Sequence, residues 1–420
     1  MLGRAISALR ATTIARTAAI RTPLPTAGIN GVSKGAVSTK AFGGAVRHMS
    51  LGCYRRAASH QVTRSLSSAA PAASAAASAS ADAIRGLAGR HLLRTDDYSP
   101  AEFGAVVDLA IALKAAHADG GRDDPANADV WTSMRGQSMA MIFQKRSTRT
   151  RVSTETGIAK LGGQGLFLSA DDIQLGVNES VRDSARVLCR FNDILLARVF
   201  GHGVVDELAR ESAVPVINAL SDLHHPLQIL ADVMTLREHW AAAGGTEGKT
   251  LAWVGDGNNI LHDLLLAAPL TGMRVRCATP TGYEPDAGVV ADARALFERE
   301  GVHGGGDDGL LFTTDPKEAV QGADVVVTDT WVSMGQEEEA ARRLKDFAGY
   351  EVTHELMVDG GANDGWCFLH CLPRHPEEVS DAVFYDEARS LVWQEAENRM
   401  WTVMAVMLAQ VGRAPLRLLE

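Results

Sequence analysis

Two doubly wound α/β domains, each a parallel sheet flanked by helices and joined to the other by interdomain helices, are expected from this 420-residue sequence. The length favours more than one domain. Short apolar runs alternate with amphipathic stretches from near Leu87 onward. The links between them are brief, and strand–helix alternation with brief links builds parallel sheets covered on both faces.

The expected strands, in order, are Ser138–Phe143, Gly165–Ser169, Asp193–Val199, Val214–Ala219, Thr250–Val254, Arg274–Ala278, Gly309–Thr313, Asp324–Thr328 and Cys367–His370. Each is a short apolar run without the length of a helix. Between them, helices are expected at Thr148–Leu161, Glu179–Phe191, Pro226–Ala242, Asn259–Leu270, Gly288–Glu300 and Glu337–Phe347. Nine strands suit two sheets better than one. The natural break falls near Asp222, ahead of the helix that opens at Pro226. The expected division is a leader and linker over 1–85, a first domain over 86–222 plus 396–415, and a second over 223–395. The Ala/Ser tract at 66–84 reads as linker, and His303–Asp308 as a Gly-rich loop.

Charge is unevenly spread. Residues 1–85 hold eleven of the 41 basic residues and only one of the 51 acids, Asp82. The body is therefore strongly acidic and forms no broad basic stripe, which argues against nucleic-acid binding. The leader is rich in Arg, Ser and Ala, and Leu2, Ile6 and Leu9 share a helical face. That is the composition of an import peptide without a secretory h-region. Mitochondrial matrix is favoured over plastid. No apolar run approaches the ~18 residues of a membrane span. Cys53, Cys189, Cys277, Cys367 and Cys371 show no CxxC pairing, so reduced thiols fit best.

The stretch Phe143-Gln144-Lys145-Arg146-Ser147-Thr148-Arg149-Thr150-Arg151 leaves a strand and opens a helix. Ser147 is a good N-cap. First-turn N–H groups, the helix dipole, hydroxyls of Ser147, Thr148 and Thr150 and the Arg149 fork together make a phosphate cradle. It is not a Walker A loop, because the glycines are missing. A capped helix with a basic solvated face remains the plainer alternative.

That stretch resembles the carbamoyl-phosphate signature of the aspartate/ornithine carbamoyltransferase family. Further strings agree in the family's order: Leu196-Ala197-Arg198, His225-Pro226-Leu227-Gln228, Asp256-Gly257-Asn258-Asn259, Asp329-Thr330-Trp331-Val332-Ser333-Met334-Gly335, His370-Cys371-Leu372-Pro373-Arg374 and Glu395-Ala396-Glu397-Asn398-Arg399. The resemblance runs from about residue 88 to about residue 412. Each string alone is weak, but six in order are specific. The Asp-Thr-Trp-x-Ser-Met-Gly and His-Cys-Leu-Pro strings are similar to the family's ornithine branch.

The resemblance implies acyl transfer from carbamoyl phosphate to an amine of L-ornithine. It implies Ser147, Thr148, Arg149 and Thr150 on the phosphate, Arg198 and His225 on the carbamoyl oxygen, Gln228 on the carbamoyl amino group, and Arg399 reaching in from a late helix. Gln174 holds the position of a residue lent by a neighbouring subunit, so a homotrimer with shared sites is implied. For the acceptor it implies Leu220, Asn259, Asp329, Ser333 and Met334 on the α-groups, with Cys371 and Leu372 facing the δ-amine. The catalytic set is then Arg149, Arg198, His225 and Cys371. No cofactor and no metal is expected, since the arginines supply the positive charge. His370 and Cys371, as strand neighbours, are expected to point to opposite faces and share no metal. A dinucleotide turn at Asp256–Asn259 is disfavoured, because the third glycine is missing. Two positions depart from the family's habit: Gln144 stands where an acid is common, and Gln394 where a proline is.

Overall fold

The structure is a computed structural model that describes residues 69–169, 173, 178–302, 309–332 and 337–419, all within one compact unit, Thr63–Glu420. The leader reading, the loop at 303–308, Gln174, Ser333 and Met334 lie outside the described residues.

The first sheet holds β1 (Ser138–Phe143), β2 (Gln164–Ser169), β3 (Ile194–Arg198) and β4 (Val216–Leu220), in the order β2-β1-β3-β4. The second holds β5 (Thr250–Val254), β6 (Arg274–Ala278), β7 (Leu310–Thr313), β8 (Val325–Thr328) and β9 (Cys367–His370), in the order β7-β6-β5-β8-β9. All pairings are parallel. The central strands β1, β3, β5 and β8 are buried almost throughout, which is why they read as continuous apolar runs.

Each sheet reverses its winding direction once. The reversal lies between β1 and β3 in the first sheet and between β5 and β8 in the second. Crevices at the carboxyl ends of strands beside such reversals are where open α/β sheets take ligands. Ser147–Thr150 follow β1, Arg198 ends β3, Asp256–Asn259 follow β5 and Asp329 follows β8. Between β3 and β4 the register slips: Ala197 pairs with Asn218, but Arg198 with Leu220. Such an irregularity re-aims the side chain beside it, here Arg198.

The helix Val392–Gln410 packs on Pro226–His239, Pro100–Ala118 and Thr148–Lys160. It is buried over most of its length, as is Pro226–His239. One apolar cluster runs from Leu109 through Leu230 to Leu265 and Val406, so a shared core lies under both sheets. Among the described residues no helix is long and apolar enough to cross a membrane.

The sequence expectations need three corrections here. Ala69–Arg85, expected as linker, is a helix that packs on Pro100–Ala118 and buries Ala81 and Ile84. Alanine is the strongest helix former, and compositional simplicity hid that. The helix expected at Glu179–Phe191 is confined to Val181–Leu188, because the Ser180 hydroxyl caps it by accepting from Asp183 N at 3.0 Å. The single helix expected at Glu337–Phe347 is a 3₁₀ turn, Glu337–Glu339, followed by Ala340–Asp346.

Candidate active site

Ser147 caps the helix Thr148–Lys160, its Oγ accepting from Thr150 N at 3.2 Å. The first helical turn therefore ends on the crevice above β1. Arg149 leaves that turn and donates through Nη2 to the Leu372 carbonyl. One guanidinium thus links the loop after β1 with the loop after β9. Leu372 has φ +63°, in the left-handed region where a side chain is strained. That conformation is a local distortion at the site. Gln144 accepts from Phe200 N at 3.0 Å, which ties the loop after β3 to the loop after β1.

Arg198, His225, Gln228 and Arg399 form a buried group. Arg399 Nη1 donates to Gln228 Oε1 and stands 3.3 Å from His225 Nε2. Burial pulls the Arg198 guanidinium down to about 10, with Arg399 and Arg149 adding repulsion. Burial likewise pulls Arg399 down to about 10. Burial, then Arg399, Arg198 and Arg149, hold His225 well below the ordinary imidazole value, so its ring is neutral. With Nε2 accepting from Arg399, the remaining proton belongs on Nδ1. The buried Arg198 Nε, Arg399 Nε and His225 Nδ1 have no hydrogen-bond partner among the described residues. Three guanidiniums gathered with unused donors make a site for an anion with a polar head.

The acceptor half has a different character. Asp329 accepts from Asn258 Nδ2 at 2.9 Å and from the Cys371 thiol at 3.0 Å. Burial and then Asp329 push the thiol well above its ordinary value, so it stays protonated and donates. Asn259 Nδ2 donates to the Ser221 carbonyl at 2.6 Å, next to Leu220. Asp256, raised to about 6 by burial, meets Arg343 at 2.5 Å.

The opposed faces expected for His370 and Cys371 are not observed. Atoms of Asp329, His370 and Cys371 lie within 4.8 Å of one another. The strand ends at His370 and the chain turns at Leu372, so two-residue alternation stops there. His370 Nδ1 accepts from Leu372 N at 2.9 Å, and Nε2 meets the buried Glu378 at 3.0 Å. Both ring nitrogens are engaged within the protein, so the cluster reads as a hydrogen-bonded support for the turn.

A single cavity of about 960 Å³ collects Ser147, Thr148, Arg149, Thr150, Arg198, Leu220, His225, Gln228, Asn259, Asp329, Cys371, Leu372 and Arg399. Lys145, Asn258, Tyr283 and Arg343 line it as well, and the sequence reading did not single them out. Asp263 was also missed. It is fully buried and accepts from His225 N, from Thr95 N at 3.1 Å and from His224 Nδ1 at 3.1 Å. It fixes the backbone that carries His225. The available signal was one carboxylate inside the largely apolar helix Asn259–Leu270.

A family model described as the carbamoyl-phosphate-binding domain of aspartate/ornithine carbamoyltransferase matches residues 90–238. The corresponding Asp/Orn-binding domain matches residues 247–410. The chain is 51% identical over 323 residues to the mitochondrial ornithine transcarbamylase of Gallus gallus, covering 77% of this chain and 86% of that one. It is 49% identical over 329 residues to the mitochondrial ornithine carbamoyltransferase of Aspergillus niger, covering 76% and 86%. Among solved structures, the mitochondrial ornithine carbamoyltransferase of Coccidioides immitis superposes with a TM-score of 0.70 at 45% identity, covering 78% of this chain and 99% of that one. The ornithine carbamoyltransferase of Pyrococcus furiosus gives 0.71 at 42% identity, covering 78% and 98%. With two domain models matched in order and half the aligned residues identical to an avian relative, the chain belongs to the aspartate/ornithine carbamoyltransferase family.

Proposed function

We propose that this chain transfers the carbamoyl group of carbamoyl phosphate to the δ-amine of L-ornithine, giving L-citrulline and phosphate. The observation that carries this is one cavity with two unlike halves. Arg198, Arg399 and His225, each with an unpartnered buried nitrogen, belong to one half, and the Asp329–Cys371 pair to the other.

In this reaction the neutral amine attacks the carbamoyl carbon. A C–N bond forms, the C–O bond to phosphate breaks, and the amine's proton leaves with the phosphate. The first turn after Ser147 and Arg149 hold the phosphate. Arg198, His225 and Thr150 stabilise the oxygen that gains charge, where pre-placed donors are worth most. Gln228 takes the carbamoyl N–H₂, and Arg399 holds Gln228 and the anion together. Asp329 and Asn259 hold the acceptor's α-groups with Ser333 and Met334, while Cys371 and the Leu372 carbonyl orient its amine. The resemblance at Gln174 supports a homotrimer in which that residue serves a neighbour's site. The basic leader and the names of the relatives support a mitochondrial matrix location. The division into 86–222 plus 396–415 and 223–395 follows the two sheets and belongs to the same proposal.

Citrulline formation by the purified protein tests this, with aspartate, putrescine and N-acetylornithine run in parallel. Product from ornithine alone is expected. Turnover of another amine would keep the chemistry and move the acceptor assignment. Because only the neutral amine attacks, the rate should rise with pH until the bound amine is deprotonated. A flat profile from neutral to alkaline pH would count against this order of events.

A further inference from the structure

Behind Gln228 lie two carboxyls that do not line the cavity, Asp232 and Glu395, each 1% exposed. The Gln228 carboxamide gives one N–H to each. Nε2 is 2.8 Å from Asp232 Oδ1 and 2.8 Å from Glu395 Oε1. On its other side, Oε1 accepts from Arg399. The reversed amide would set its oxygen against two carboxyls and its N–H₂ against a guanidinium. The orientation is therefore fixed by chemistry, and the amide oxygen keeps one lone pair for a ligand.

By bonding the same Nε2, the two carboxyls are held close together. Two ionised carboxylates this close and this buried repel each other, which favours holding a proton between them. Burial pushes Asp232 up to about 7 and Glu395 well above the ordinary carboxyl value. Arg399 opposes both shifts, while Asp329 adds to that of Asp232 and the His370 N–H, 2.9 Å from Glu395, opposes the other. The protonated Cys371 thiol is the remaining titratable neighbour.

We propose that Asp232 and Glu395 are positioning residues for donor selectivity. They hold the Gln228 oxygen toward the carbamoyl N–H₂, so the site prefers carbamoyl phosphate to acyl phosphates with a methyl in that place. The inference rests on carbamoyl phosphate being the donor. A methyl group would leave the buried amide oxygen without its partner, and mismatches of that kind discriminate strongly.

The test compares the KM for carbamoyl phosphate with the inhibition constant of acetyl phosphate in wild type, Glu395→Leu, Asp232→Leu and Asp232→Asn. The leucine variants free the amide to turn. Their preference for carbamoyl over acetyl phosphate is expected to fall about tenfold to a hundredfold. Asn keeps an oxygen for Gln228 and offers an N–H in place of the shared proton. Asp232→Asn should therefore keep the preference within about threefold. Equal weakening of both phosphates in the leucine variants would overturn the role, since loss of general packing does not distinguish them.

A second measurement needs no destabilised protein. The infrared band of a protonated carboxyl should be present in the native enzyme at neutral pH and missing in Asp232→Asn. An unchanged band overturns the shared proton. Wild type that makes no citrulline overturns the donor assignment and this inference with it. An active wild type with unaltered selectivity in the variants overturns the inference alone.

Discussion

The two halves of the cavity sit at equivalent places in their sheets, yet they are built on opposite electrostatic plans. The half above β1 and β3 gathers Arg149, Arg198 and Arg399 around a neutral His225 and leaves buried donors unused. The half above β5 and β8 pairs its charges internally: Asp329 with Asn258 and Cys371, and Asp256 with Arg343. The first is pre-charged for an anion. The second must exchange partners, because a cationic acceptor takes Asp329 only by competing with groups already bonded to it. Unpaired buried donors cost stability in the free protein, and a ligand that satisfies them recovers that cost on binding. The donor half therefore holds its affinity ready, and the acceptor half gains its ligand by exchange.

The contrast can be broken most severely at Arg149. Arg149→Ala removes both a cradle cation and the Leu372 contact. A fall in kcat/KM of about 10³-fold is expected from loss of one pre-placed charged donor, read as citrulline formation. A drop below tenfold would mean the cradle is not where the phosphate binds. Asp329→Asn keeps the shape but removes the charge that the acceptor half reserves. It should lower kcat/KM for ornithine about a hundredfold with little effect on the KM for carbamoyl phosphate. Equal effects on both substrates would dissolve the division between the halves.

Gly257→Ala tests the turn after β5. An added Cβ would lie 2.4 Å from the backbone of Glu284 and Pro285. That collision should cost about 1–3 kcal/mol of stability and raise the KM for ornithine more than that for carbamoyl phosphate. Unchanged thermal unfolding would show that the 283–285 segment yields freely.

A last effect lies in the pH dependence of stability. His225 has a lowered value in the folded state. Below its ordinary 6.5 the unfolded chain binds the extra proton, so its contribution falls as pH drops from there. Asp232 runs the other way. Raised from 3.8 to about 7, it makes the native state bind more protons across that window, so its contribution falls as pH rises through it. Asp232→Asn should flatten the second slope and leave the first. Denaturant midpoints from pH 4 to pH 7 would follow the same slope in both proteins if the carboxyl were ionised throughout.

The contrast also separates what the sequence discloses from what it hides. All nine described strands were legible: the central ones because strands buried on both faces are unbroken apolar runs, as in Leu195–Ala197 and Val325–Val327, and the partly exposed β2 as the short run Gly165–Ser169. The loops carrying Arg149, Arg198, His225 and Asp329 were legible as short strings at strand ends. The roles of carboxyls such as Asp232, Asp263 and Glu395 were not, since local sequence can hint at burial but does not name the partner that a buried carboxyl meets. Two spacings did hold a clue. Gln228 and Asp232 are four apart on one helix, as are Glu395 and Arg399 on another, so each pair shares a face. The helix Ala69–Arg85 stayed hidden because an alanine-rich composition suits either a linker or a helix until a packing partner is known.

Arg399 enters the cavity from a helix that follows all nine strands in chain order. A ribosome works in that same direction. A nascent chain that has already made both sheets still lacks the guanidinium that grips Gln228, and lacks Glu395 four residues before it. Competence therefore arrives late in synthesis, after both sheets have been made, and a chain interrupted between β9 and that helix would hold most of the cradle without the means to orient its amide.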